Sequence, residues 1–544
     1  MQQGRRRNEA LISSLSSTWK FGATSGDNGL QGISSHGKRR YRTRMAIMRI
    51  YRRSVAALAL LLIFCVLLLL TFRAIARNRD EIDVLHLSEN EPPRQRQLHL
   101  LVPATGSNLY LCQLLLTATL AGYPEPVLLG LGNDREYRGT SWSYIFKISE
   151  TLNYLNSLPT SADNDIALML DAYDVWFLVR PEVLISRYFD VIEQANARLR
   201  KRSIHGIPTG GERVRDSVLF GADKLCYPTN DTSRPACGAV PNPPTPEYPR
   251  AVRSRIPYES VPPRWLNSGT IMGPVKDLGR VFSATMALVE QRHDLERPEW
   301  RVMDQLYFSD IWGLQEVERT NLEARAGASG WLTSPSRILN FNRGQNIEPT
   351  EYHITVDYAE ELFQTAYGNS PYLIWQNFSN LEQVDDEEES RALAKTSRAP
   401  AFPEDIASSR PPFSPEALEA DLPQNAIWQN LRLGVNIATR RVFALFHMTV
   451  EKQYRDEWWP QLWFHPHSKA LFEAARHMRL NSISKYQEPL ENIAYVHGVQ
   501  WVKGRSTYEA GEDNWEDASA WDVDGKPLHW QRLCGSYNDS LFLQ

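Results

Sequence analysis

The run IALML, Ile166 to Leu170, does most to constrain the fold of this chain. It is five apolar residues with no polar alternation, so a strand here has no face left for solvent. It leads straight into Asp171, and Asp174 follows three residues later. If the chain turns at the strand end, both carboxylates face one point; uncompensated, they repel and their pKa values rise. A hard divalent cation such as Mg²⁺ or Mn²⁺, which prefers oxygen ligands, relieves that repulsion. The plainer alternative has Asp174 capping the next helix and Asp171 accepting backbone amides.

The elements around this run alternate. LHLLVPATG reads as a strand entering a loop, LYLCQLLLTATLAGY as a helix, EPVLLGLG as a second strand. YIFKISETLNYLNSL spaces Ile148, Leu152 and Leu155 as a helix does. The alternation predicts a parallel, layered α/β domain over residues 98–480, with ligands gathering at the C-terminal strand ends. RWLNSGTIMGP and MDQLYFSDIW supply further loop and core elements, VFALFHMTV another strand, and EWWPQLWFHPHSKALFEAAR a Trp-rich helix. His465 and His467 read as caps in a turn of that last segment. Residues 383–425 are acidic and Pro-rich and read as a disordered insertion. Residues 481–544 read as a C-terminal extension.

Ahead of this domain, SVAALALLLIFCVLLLLTF, Ser54 to Phe72, carries no charge. As a helix it spans roughly 28 Å at ~1.5 Å per residue, near the thickness of an early secretory membrane. Residues 1–53 hold 12 Lys/Arg against 2 Asp/Glu. Alone, such basic clusters suit nucleic acid. Beside an apolar span, with Arg dense before it and sparse after it, they set topology instead. The expectation is a disordered cytosolic tail (1–53), a transmembrane signal anchor (54–72), a polar stem (73–97) and a lumenal remainder, with no nucleic-acid partner. Cys112, Cys226, Cys237 and Cys534 would then lie where disulfides persist. Cys226 and Cys237 flank the loop CYPTNDTSRPAC and are the expected pair. The sequons at Asn230, Asn377 and Asn538 fall on the same side of the span.

Six blocks, in order, resemble the glycosyltransferase domain of procollagen lysyl hydroxylases. They are VLLGLGNDREYRG, LMLDAYDVWF, SVLFGADKLCYP, RWLNSGTIMG, DQLYFS and ITVDYAEELFQT, over roughly residues 98–365. The resemblance implies a GT-A-like (Rossmann-like) nucleotide-sugar domain using a UDP-sugar and Mn²⁺ (or Mg²⁺). It implies that Asp171 and Asp174 bind the metal and that Tyr173 and Tyr137 lie against the uracil. Asn267, Ser268 and Gly269 would line the sugar pocket, and Asp304 and Gln305 would reach sugar or acceptor as the catalytic pair. Lys147, in SYIFK, is what remains of a Gly-rich nucleotide-binding stretch. On their own, NSG reads as a tight turn, Asp304 as a helix cap, and Tyr137 and Tyr173 as surface packing.

The family's third metal ligand is a His ending a late strand, followed by a Gly-rich loop and a Lys that hold the diphosphate. His447 in ALFHMTVEK fits the strand end, with Lys452 displaced by one position and the glycines absent. His497 in YVHGVQWVK has the following Gly and a spaced Lys but lies further along; His447 is preferred. No iron-binding triad accompanies these blocks, so hydroxylation is not expected.

The resulting expectation is a type II Golgi or endoplasmic reticulum membrane protein that moves a hexose from a UDP-sugar to a glycan or glycoprotein. A catalytically degenerate protein that binds nucleotide-sugar or glycan without turnover is the alternative. A glycoside hydrolase fits less well, because its two carboxylates stand ~5–10 Å apart across a sugar.

Overall fold

Strand Ile166–Leu170 lies near the centre of a ten-stranded mixed sheet and is buried along its whole length. In the computed structural model the described residues are 94–132, 145–227, 232–244, 257–292, 303–327, 351–379, 401–413, 426–449, 454–485, 492–503 and 518–542. They belong to one unit, Pro93–Gln544. The span Ser54–Phe72 lies outside them; among the described residues no helix is long and apolar enough to cross a membrane.

The sheet is mixed rather than parallel. Strand Arg94–Pro103 runs parallel to Ile166–Leu170 on one side and to Val127–Leu129 on the other. Beyond Ile166–Leu170, Trp265–Pro274 is antiparallel, and so is Val218–Asp223 against it. Ile354–Val356 closes that side in parallel. Helix Leu109–Ala121 is apolar nearly all round and buried accordingly. Asn108 caps it by accepting from the amides of Tyr110 and Leu111, and Gly122 ends it at φ 80°.

Residues 481–544 are not an appendage. Val499–Lys503 pairs in parallel with Arg94–Leu98, and Ala518–Trp521 joins the sheet beside Val127. A disulfide ties Cys534 to Cys112 in helix Leu109–Ala121, and the expected Cys226–Cys237 bridge is also present. Strand Arg94–Pro103 extends ahead of Leu98 because these late strands give its first residues a partner.

Within the 383–425 stretch, the described residues 401–413 are ordered. Helix Glu404–Ala407 docks through the fully buried Ile406, Asp405 pairs with the buried Arg187, and Phe413 stands edge-on to Trp463. A few anchors hold a segment whose overall composition is that of a solvated loop.

A second, three-stranded sheet positions the site. Its centre is Leu445–His447, parallel to Phe363–Thr365 and antiparallel to Val175–Phe177. The four residues Asp171 to Asp174 thus carry the chain from the large sheet to the small one.

Candidate metal centre

Asp171 leaves the large sheet and Asp174 enters the small one, where His447 pairs directly with Val175. The amide of Met448 donates to the Asp174 carbonyl at 2.7 Å, locking that register. His447 Nε2 consequently stands 3.5 Å from Asp174 Oδ1 and 3.8 Å from Asp171 Oδ2. One donor atom from each of the three residues falls within 4.8 Å of the others, and among the described residues no other such group converges.

The donor set fits a hard or borderline divalent ion: two carboxylate oxygens and one imidazole nitrogen. Ligands at ~2.1 Å from one ion and at right angles to each other are about 3 Å apart, so small inward movements suffice. Gly269 faces this space. A Cβ built there would lie 2.1 Å from His447 Cε1, 2.7 Å from Nε2 and 2.8 Å from Asp171 Oδ2. The absence of a side chain is what keeps the three donors clear of obstruction.

Gly269 reaches this position through a bulge. Pairing between Val218–Asp223 and Trp265–Pro274 jumps from Phe220↔Ile271 to Gly221↔Asn267, so Ser268, Gly269 and Thr270 are extra residues on one strand. NSG is therefore strand, not a tight turn. Asn267 Oδ1 accepts from the Gly269 amide at 3.0 Å, and the Gly269 carbonyl accepts from the Asp171 amide at 2.8 Å.

Lys147, in the first turn of helix Phe146–Ser157, is buried between two acids. Its Nζ is 2.8 Å from Asp171 Oδ1 and 2.7 Å from Asp304 Oδ2, and it also donates to the Ser268 carbonyl. Burial alone would lower its pKa, but Asp171 and Asp304 outweigh that and raise it. Asp304, first residue of helix Asp304–Gly327, is pushed up by burial and by Asp171 against the pull of Lys147. Its carboxylate is thus engaged by Lys147 and the Ser268 side chain and is not a simple helix cap. Three carboxylates against one ammonium leave two negative charges, the charge of one divalent cation.

His447 is itself buried, which would lower its pKa, yet Asp174 and Asp171 raise it. Its Nδ1 is buried with no hydrogen-bond partner, so strand pairing and the Gly269 surface hold the ring. Tyr173 is half-buried, and its hydroxyl donates to the Gly106 carbonyl at 3.0 Å. Gln305 follows Asp304 on the helix and is half-buried.

Tyr137 and Lys452 lie outside the described residues. His497 sits in the exposed turn between Asn492–Val496 and Val499–Lys503, its ring against Phe189. His447, not His497, meets the two carboxylates. His465 and His467 occupy a short turn, the first held below its ordinary pKa by burial.

The sequence reading missed Asp223. It ends the buried run VLFGAD as Asp171 ends IALML, and that shared pattern was the available signal. Asn267 Nδ2 donates to it at 3.4 Å, and burial raises its pKa to about 6. The chain matches no protein-family model and no curated protein.

Proposed function

We propose that this protein is a metal-dependent glycosyltransferase. It is anchored in a Golgi or endoplasmic reticulum membrane by Ser54–Phe72 and moves a hexose from a UDP-sugar to a glycan or glycoprotein acceptor. The observation that carries this reading is the convergence of Asp171, Asp174 and His447 at the end of a buried central strand, around the bare backbone of Gly269. A hydrolase is disfavoured by the same geometry: both carboxylates approach one imidazole nitrogen within 4 Å instead of flanking a sugar.

In this reading Asp171, Asp174 and His447 hold Mn²⁺ or Mg²⁺, whose chemistry there is Lewis acidity toward a departing diphosphate. Lys147 fixes Asp171 Oδ1, leaving Oδ2 turned toward His447. Tyr173, tethered to Gly106, offers a ring face to the base. By the resemblance, Asn267, Ser268 and Gly269 would line the hexose pocket, and Asp304 and Gln305 would reach the sugar or the acceptor.

The test is release of UDP from a panel of UDP-hexoses, with and without Mn²⁺. The intact chain should turn over at least one of them in a Mn²⁺-dependent way, and Asp171→Asn and Asp174→Asn should fall to background while remaining folded. Mn²⁺-dependent thermal stabilisation by UDP-sugars with no turnover of any donor would instead identify a binding protein of degenerate catalytic capacity.

A further inference from the structure

Arg455 belongs to the short helix Tyr454–Trp458 and is 3% exposed. Its Nε and Nη2 are both buried with no hydrogen-bond partner. The guanidinium lies 3.9 Å from the centroid of the Tyr110 ring. Among the described residues no carboxylate pairs with it, and the acids of its own helix, Asp456 and Glu457, are exposed. Other buried guanidiniums here are satisfied: Arg187 by Asp405 and two carbonyls, Arg319 by Asp216, Glu316 and Glu351. A buried cation with only a ring face for company is costly unless an anion completes it.

We infer that Arg455 and Tyr110 form an anion-recognition point that takes a phosphoryl group. Nε and Nη2 form one edge of the guanidinium, and two N–H groups on that edge match two oxygens of a phosphate side by side. The place also favours negative charge. Tyr110 is in the first turn of helix Leu109–Ala121, whose N-terminus carries partial positive charge.

The same loop leads to the metal centre. Gly106, just before the Asn108 cap, holds the hydroxyl of Tyr173, which stands between Asp171 and Asp174. From the other direction, Trp459 packs on Trp176, two residues beyond Asp174. Arg455 therefore offers a diphosphate contact in a chain whose His447 is followed directly by MTVEK and not by a Gly-rich loop. That source of the phosphoryl group rests on the glycosyltransferase reading; the anion site itself does not.

The experiment titrates uridine, UDP, inorganic phosphate and pyrophosphate into the full chain and into Arg455→Met and Arg455→Lys, by calorimetry at saturating Mn²⁺. Mn²⁺ binding without nucleotide is measured separately. Arg455→Met should weaken UDP binding about tenfold or more, leave uridine and Mn²⁺ binding unchanged, and melt no lower than the parent without ligand. Binding of phosphate or pyrophosphate but not UDP, lost in Arg455→Met, keeps the anion site and sinks the nucleotide-sugar reading. Should Arg455→Met not fold, Arg455→Lys carries the test, since it keeps charge but loses the two-pronged edge. A several-fold loss for UDP with uridine unchanged supports the site. Unchanged UDP and pyrophosphate affinity in the folded variants, or a parent chain that binds no phosphate-bearing probe, overturns it.

Discussion

A Cβ on Gly269 would lie 2.1 Å from Cε1 of His447, closer than two carbon atoms can sit without a bond. The smallest possible substitution at this position therefore tests the site. Gly269→Ala should push the His447 ring away from Asp171 and Asp174, abolish Mn²⁺ binding and cost about 1–3 kcal/mol of stability through overpacking. Gly279→Ala is the control. It lies within helix Val275–Arg292 with nothing within 4 Å of the new methyl, and should stabilise by about 0.5–1 kcal/mol. Mn²⁺ binding by Gly269→Ala at parental affinity would show that this space is not the metal site.

Lys147 is the electrostatic counterweight to Asp171 and Asp304. Lys147→Met should cost about 1–3 kcal/mol, because it leaves the largely buried Asp304 facing the half-exposed Asp171 carboxylate without the ammonium. The extra negative charge should also attract a cation. Saturating Mn²⁺ should therefore raise the melting temperature of Lys147→Met by more than it raises that of the parent. Equal Mn²⁺ increments in the two proteins would mean that Lys147 and the ion do not share Asp171.

These relationships explain how much the sequence could disclose. The IALML strand and its two acids were legible because burial on both faces and the turn that follows are written into adjacent residues. His447 was reachable only by matching strand ends, since it is brought to Asp174 by pairing with Val175 across a switch between sheets. Lys147 looked isolated because its partners come from a different strand and a different helix. The C-terminal strands were hidden for a similar reason. Gln500 meets Gln95 across 405 residues, and no local pattern marks a strand that completes a sheet begun so far away. The bulge at Ser268–Gly269–Thr270 reads as a turn until the strand opposite it is known.

Asp357 sets a pH dependence away from the metal centre. It is fully buried, and its Oδ2 accepts the amides of Leu362 and Phe363, yet burial dominates and raises its pKa from 3.8 to about 6. The folded state thus holds a proton that the unfolded chain releases between those values. The associated stabilisation is complete below pH ~3.8, falls as pH rises and is gone above about 6. At about 1.4 kcal/mol per unit it amounts to roughly 3 kcal/mol at most. Asp357→Asn cannot titrate, so the stability difference between variant and parent should shift in the variant's favour from pH 4 to 6 and then level off. Urea unfolding at pH 4, 5, 6 and 7 measures this; parallel profiles would refute it.

The Cys112–Cys534 bridge closes a loop of sequence separation 422, whereas Cys226–Cys237 closes one of 11. Chain entropy makes the longer closure the more stabilising, within a range of about 2–5 kcal/mol for a native bridge. Replacing both Cys112 and Cys534 by Ala should therefore lower stability more than replacing Cys226 and Cys237. The longer bridge also has a local consequence. Leu533, next to Cys534, accepts the Ser107 hydroxyl at 2.5 Å, and Ser107 follows the Gly106 that holds Tyr173. Freeing the C-terminal segment should loosen that loop, so UDP affinity should fall while Mn²⁺ binding at Asp171, Asp174 and His447 persists. Hydrogen exchange should quicken in Val499–Lys503 and Ala518–Trp521, whose places in the sheet depend on the chain returning to helix Leu109–Ala121. Unaltered exchange there, with equal melting temperatures for the two double-alanine variants, would mean that sheet pairing alone holds the C-terminal strands.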